Sequence, residues 1–247
     1  MNRKAVIIGA PGGYYNEYLQ GVEYDIENYV NFLKSPTGGA WDNSEIIKVK
    51  NPDSIKLRSF LKKLKADYTL VIFSGHGAYK LNDSTYVAIN RTKLLSVKEL
   101  VTKAPKQLLI IDACRSFVDS GISGFLGEEL KKFPSRLTRV DSKKIFAHHL
   151  NKCEKGLVVC YSSKIGQESY SKNDGGVFSL NLLDTAKAWV ATPSRFGILP
   201  IHVAFTKAQK YTIQNTSGVQ IPELRGSDIN SRTEWFPFAI RKPIQLT

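Results

Sequence analysis

No run of apolar residues in this chain approaches the roughly 20 needed to cross a bilayer as a helix. The strand-like ones, such as Leu70–Phe73 and Leu108–Ile111, cover only a few positions. The opening Met1–Pro11 places basic residues before apolar ones, but that stretch is too brief for a signal core and runs into Gly9 and Pro11, so it reads as a first strand. Cysteine is scarce: Cys114, Cys153 and Cys160 cannot all pair with one another, and none has the spacing of a zinc site, which points to a reducing, cytoplasmic setting with no metal or other cofactor. There is no Pro/Gly/Ser-rich linker, no internal repeat and no abrupt compositional change, so residues 1–247 read as one domain. Acidic residues are outnumbered, 22 Asp and Glu against 35 Lys and Arg, for a net charge of +13. Such an excess attracts polyanions nonspecifically. It is partly local: between Lys131 and Lys155 eight basic residues face two acidic ones without the aromatic interleaving of a base-stacking surface, so this reads as a solvated basic loop and not as a nucleic-acid site.

What is present is the alternation of an α/β protein. Strands are expected at Lys4–Ala10, Glu45–Val49, Tyr68–Phe73, Gln107–Asp112, Leu157–Tyr161 and Trp235–Ile240, with Thr85–Ile89 as an extra edge strand. Helices are expected at Val22–Lys34, Asp53–Lys65, Ser96–Lys103, Val177–Val190 and Pro200–Gln214. Near-continuous apolarity in the third to fifth strands implies burial on both faces, as in a mainly parallel sheet covered by helices. Residues 115–156, rich in glycine and charge, read as a long surface loop with only partial helix, the kind of excursion that shapes or gates a neighbouring site.

Two of the strands end in residues suited to covalent chemistry: Leu70-Val-Ile-Phe-Ser-Gly-His76-Gly77 and Leu108-Leu-Ile-Ile-Asp-Ala-Cys114-Arg-Ser116. In a parallel α/β sheet, functional groups collect past the carboxyl ends of the strands, so His76 and Cys114 are placed to face one another across a crevice. A thiol paired with an imidazole becomes a strong nucleophile with its own proton carrier. Gly77 lets its backbone N–H approach a bound carbonyl, and the N–H of Cys114 is a second candidate oxyanion donor, so acyl transfer is the natural reaction. Cys153 and Cys160 lack such a setting and read as structural. His148 and His149 fall in the basic loop and His202 in a helix, with surface or capping roles.

On Ser74-Gly-His-Gly77 and Asp112-Ala-Cys-Arg-Ser116 the chain resembles caspase-fold cysteine peptidases, closer to the metacaspase and bacterial caspase-like branch than to animal caspases. Weaker matches lie at Ala5–Gly9, Val22-Glu-Tyr-Asp25, Tyr161-Ser-Ser163, Gln167, Ser169, Gly176-Val-Phe-Ser179 and Gln220-Ile-Pro222. The caspase form of the nucleophile motif is Gln-Ala-Cys-x-Gly with the His about 50 residues upstream. Here His76 and Cys114 are 38 residues apart and Asp112 stands in place of the Gln. The resemblance implies a caspase-like three-layer α/β/α sandwich around a roughly six-stranded, mainly parallel sheet. It implies a cysteine endopeptidase with protein substrates, Cys114 as nucleophile and His76 as acid and base. It also implies a basic-residue pocket formed by Asp112, Asp25, Ser74, Ser162 and, more loosely, Val22. An acidic pocket selects Arg or Lys before the cut. For Asp25 a solvated or dipole-pairing role at the helix start stays open, and for Asp112 a bond to nearby backbone.

Calcium activation through an acidic insertion after the histidine is not expected, because Ala78–Thr85 has only Asp83 as an acid. The basic loop is a candidate for self-cleavage after Arg136, Arg139 or a nearby Lys, and the absence of a prodomain implies an activating partner, oligomerisation or a separate domain. Programmed cell death or bacterial defence is the setting the resemblance implies. The alternative from another class is a catalytically silent module in an immune or cell-death assembly; oligomeric state and natural substrate stay open.

Overall fold

The computed structural model describes residues 1–12, 18–80, 84–116, 133, 137–192, 197–227 and 229–242. In chain order these form β1 (Arg3–Ala10), α1 (Gln20–Lys34), β2 (Ile46–Lys50), α2 (Ser54–Lys63), β3 (Tyr68–Gly75), β4 (Gly77–Lys80), β5 (Ser84–Asn90), β6 (Lys93–Ser96) and β7 (Lys106–Asp112). There follow α3 (Arg139–Lys152), β8 (Gly156–Tyr161), β9 (Ser171–Lys172), β10 (Gly175–Gly176), α4 (Val177–Ala191), β11 (Ile198–Pro200), α5 (Ile201–Asn215), β12 (Glu223–Gly226) and β13 (Pro237–Ile240). The main sheet has six strands in the order β12-β8-β7-β3-β1-β2, parallel except for β12 at one edge.

Side chains alternate across each strand and feed two cores. Ala5, Ile7, Leu70, Ile72, Leu108 and Ile110 pack under α1, α3, α4 and α5, whereas Val6, Ile8, Val71, Phe73, Leu109 and Ile111 pack under α2 and the antiparallel β4-β5-β6 sheet. The α/β sandwich with a six-stranded, mainly parallel sheet is the architecture expected from sequence. Strand order reverses direction at β1, where β2 lies on one side and β3 on the other. Such a reversal opens a crevice beyond the carboxyl ends of the strands.

Several local expectations are corrected. The sixth strand of the main sheet is Glu223–Gly226, not the Trp235–Ile240 run, whose ordered part β13 pairs with β11. The apolar run signals burial, and Phe236, Phe238, Ala239 and Ile240 are indeed buried, but it does not specify which sheet receives it. Thr85–Ile89 is not an edge strand: β5 is the middle of a separate three-stranded sheet, packed on the main one through Val87 and Ile89. The predicted helix Ser96–Lys103 shrinks to a single 3₁₀ turn, Val97–Leu100, closed by a Ser96/Glu99 capping box and burying residues three apart, Val97 and Leu100.

Within the basic 115–156 stretch, Arg139–Lys152 is a 14-residue helix, and His148 and His149 lie on it and not in a loop. Its buried stripe is only Ser142, Phe146 and Leu150, spaced by four and diluted by lysines, which conceals the helical period in the sequence. Thr138 caps it by accepting from the Asp141 N–H. Arg136 and the segment 117–132 lie outside the described residues, as does Asp83. Among the described residues no helix is long and apolar enough to cross a membrane.

Phe146 anchors α3 by an edge contact to Trp41, with ring centroids 6.0 Å apart. Phe146→Ala is expected to cost about 3–5 kcal/mol by leaving a cavity there. Val140→Ala, on the same helix but 60% exposed, is expected to change stability by no more than about 0.5 kcal/mol. Urea unfolding of both variants checks this.

Candidate active site

The parallel ladder between β3 and β7 pairs Ser74 with Asp112 at its carboxyl end. Two residues further along each chain stand His76 and Cys114, so one register fixes both the pair of polar groups in the sheet and the pair beyond it. Neighbouring strands are about 4.8 Å apart. All four residues, with Val22 and Asp25 from α1, line one narrow cleft that is completed by Ser169, Tyr170, Ser171 and Gly176. Val22 and Asp25 are three apart and therefore share a helix face.

Both carboxylates are buried and held over the start of α4. Asp25 accepts from Ser74 Oγ–H at 2.5 Å and from the Gly176 N–H at 3.0 Å. Asp112 accepts from the Ser179 N–H at 3.1 Å and Oγ–H at 2.7 Å, and from Ser169 Oγ–H at 2.7 Å. Helix α4 has no side-chain cap of its own and no acid in its first turn. Asp25 and Asp112, from α1 and β7, supply both, satisfying N–H groups that would otherwise be orphaned and placing negative charge at the positive end of the dipole. Gly175 and Gly176 make the approach possible: a Cβ on the first would lie 2.5 Å from Asp25 Oδ1, and on the second 2.2 Å from Asp112 Oδ2. Burial first, and then the neighbouring Asp112 charge, raise the pKa of Asp25 well above the ordinary carboxylate range, against the bonds from Ser74 and Gly176.

Cys114 is almost wholly buried. Its sulfur receives the Ser169 N–H at 3.2 Å and donates toward the Ser169 carbonyl at 3.6 Å. Burial pushes the thiol up to about 11; the Ser169 N–H opposes this, and the charges of Glu168 and Asp112 add to it. Gly77 opens β4 in a non-hydrogen-bonded pair with Val87, because the flanking bond runs from the Ala88 N–H to the His76 carbonyl. Its own N–H therefore leaves the ladder on the edge from which the Tyr79 N–H, two residues on, reaches the Ser116 carbonyl at 3.0 Å. That is the Cys114 side, and a Cβ at Gly77 would lie 2.5 Å from the Cys114 carbonyl oxygen.

Ser162 is not brought to the cleft surface. It is fully buried behind Cys114, accepting from the Ala113 N–H at 3.1 Å, so its side chain holds the chain that carries Cys114. Cys153 and Cys160 are unpaired and buried at the end of α3 and inside β8, away from the cleft. His202 lies on α5, stacked on Trp235 with centroids 4.5 Å apart.

Sequence reasoning passed over Arg115. This side chain is 1% exposed and donates to Thr85 Oγ1 at 3.0 Å, the Ser163 carbonyl at 3.0 Å and Glu223 at 2.6 Å, with its guanidinium 4.1 Å from the Tyr161 ring centroid. It ties the nucleophile's loop to β5, β8 and β12. No local pattern announces a buried arginine whose partners lie 30 to 108 residues away.

A thiol and an imidazole thus follow adjacent parallel strands of an α/β protein and line one cleft with two carboxylates. The Caspase domain family (peptidase C14) matches residues 2–232, and the chain belongs to that family of cysteine-peptidase domains, whose substrates are proteins. Among solved structures the chain is similar to caspase-1 from Spodoptera frugiperda, with a TM-score of 0.56 and 14% identity over 91% of this chain and 86% of that one. No match is found among curated proteins.

Arg115→Ala removes the donors to Thr85 and the Ser163 carbonyl, while Glu223 keeps Arg225 at 2.9 Å, and is expected to lower stability by about 1–3 kcal/mol in urea unfolding. Asp25 works in the opposite sense. Because its folded-state pKa is raised, the native state binds more protons than the unfolded one, so stability falls as pH rises from the ordinary carboxylate range toward the raised value. Asp25→Asn is expected to remove that slope, raising the melting temperature at alkaline pH and little at acid pH.

Proposed function

We propose that the chain is a cytosolic endopeptidase that cuts proteins after Arg or Lys, in the manner of the metacaspase and bacterial caspase-like branch. The observation that carries the specificity is the charge of the cleft: Asp25 and Asp112 stand in its wall, and among its described lining residues there is no Lys or Arg to receive an acidic side chain. A guanidinium or ammonium entering it meets two carboxylates whose existing partners are all neutral donors. Charge-assisted and bidentate bonds of this kind are strong and geometrically selective. The unpaired state of all three cysteines supports a reducing compartment.

In the proposed reaction the Cys114 proton passes to His76 as the sulfur attacks the scissile carbonyl carbon. The developing oxyanion meets the Gly77 N–H, with the Cys114 N–H as second donor. His76 gives its proton to the leaving amine, the C–N bond breaks, and a thioester remains on Cys114. Water then yields a proton to His76 and hydroxide to the thioester carbon, releasing the acid and regenerating thiol and imidazole.

A panel of fluorogenic peptides differing only in the residue before the cut tests this reading. Cleavage of Arg and Lys peptides that is lost in Cys114→Ala is the expected result, with kcat/KM rising with pH as Asp25 and the Cys114 thiol ionise and the Asp25 part of that rise absent in Asp25→Asn. Cleavage of Asp peptides alone overturns the specificity, and no cleavage of any peptide favours the silent interaction module.

A further inference from the structure

Ser169 touches the nucleophile and the cation pocket at once. Its main chain brackets the Cys114 sulfur, N–H on one side and carbonyl on the other, while its hydroxyl donates to Asp112 Oδ1 at 2.7 Å. The segment is strapped from behind by Gln220, whose Nε2 donates to Ser169 Oγ at 3.2 Å and to the Ser162 carbonyl at 2.9 Å, and whose Oε1 accepts the Tyr170 N–H at 3.0 Å. The thiol hydrogen is thus aimed at a peptide oxygen, which accepts a hydrogen bond but does not take up the proton. For transfer to His76 the S–H has to turn away from residue 169.

We propose that Ser169 is a positioning residue that holds Cys114 as a resting thiol and releases it when a cationic side chain occupies the pocket at Asp112. The inference rests on the basic-residue preference proposed above. A guanidinium binds Asp112 through charge-assisted N–H bonds stronger than the neutral hydroxyl bond it displaces, so Ser169 Oγ gives up Oδ1 and the 169 segment loses its tether on the pocket side. Neutralising Asp112 also removes one of the two negative charges that disfavour the thiolate, the other being Glu168 in the same strap; Asp25, His76 and Tyr170 are the other titratable groups lining the cleft. Tether and field act in the same direction. The nucleophile is then quiet in the empty enzyme and armed by the residue the enzyme is built to recognise.

The test is the rate at which iodoacetamide alkylates Cys114 in the intact protein at neutral pH, read by mass spectrometry, with and without ethylguanidinium, a probe that fills the pocket but has no bond to cut. Binding of the probe is followed separately by thermal shift. The expected result is faster alkylation on binding, by about tenfold for each unit by which the thiol pKa falls, with the pH profile moving down from its alkaline midpoint. Ser169→Ala is expected to alkylate faster without the probe and gain little from it, and Ser169→Thr, which keeps the hydroxyl, to retain the response. Probe binding with alkylation unchanged or slowed overturns the proposal while leaving the specificity reading intact, as does a wild-type response in Ser169→Ala. Absence of probe binding together with absence of Arg-peptide cleavage overturns the specificity reading and this inference with it.

Discussion

The ladder between β3 and β7 is the constraint on which the site depends. Eight consecutive buried residues in β3 and six in β7 leave the register no freedom, since a slip of one position would turn Leu70, Ile72, Leu108 and Ile110 from one core into the other. With register fixed by hydrophobic burial, Ser74 must meet Asp112 and the two chains must emerge side by side. The juxtaposition of His76 and Cys114 is therefore a consequence of core packing and needs no contact of its own to bring it about. The hydrogen bonds of Arg115 then fix where the chain goes after Cys114.

A second relation runs between the carboxylates and α4. Two acids from distant parts of the chain do for this helix what its own first turn does not, at the cost of keeping like charges close together in a buried place. The cost is visible in the raised pKa of Asp25. A cation in the cleft would offset it, which is the physical ground of the proposed preference for a basic substrate. Stability and recognition are in tension at this point, as is common where function needs an unfavourable arrangement.

His76 and Cys114 were legible because each follows a strongly apolar strand and is flanked by small residues, so that strand position and chemistry coincided in one short window. Asp25, Ser74 and Val22 were legible only through resemblance, since nothing local distinguishes Asp25 from any acid near a helix start. Ser169, Gln220 and Gly176 were visible only as faint motif matches and Gly175 not at all, because their roles arise from pairings across 50 residues or more. Arg115 stood inside the Asp112–Ser116 motif with nothing local to show its buried tethering role. The sheet was read well where both faces of a strand are buried and poorly at β12 and β5, where partner choice is decided by contacts remote in sequence.

The account's central claim is that the sulfur of Cys114, with the imidazole of His76 beside it, is the reactive centre of an acid-lined cleft. The most direct measurement is mass-spectrometric mapping of the adduct formed by an electrophilic peptide ending in arginine. A single adduct on Cys114, formed much more slowly in His76→Ala, is the predicted result. Modification of Cys153 or Cys160 instead, or labelling of Cys114 at an equal rate without the imidazole, would contradict it.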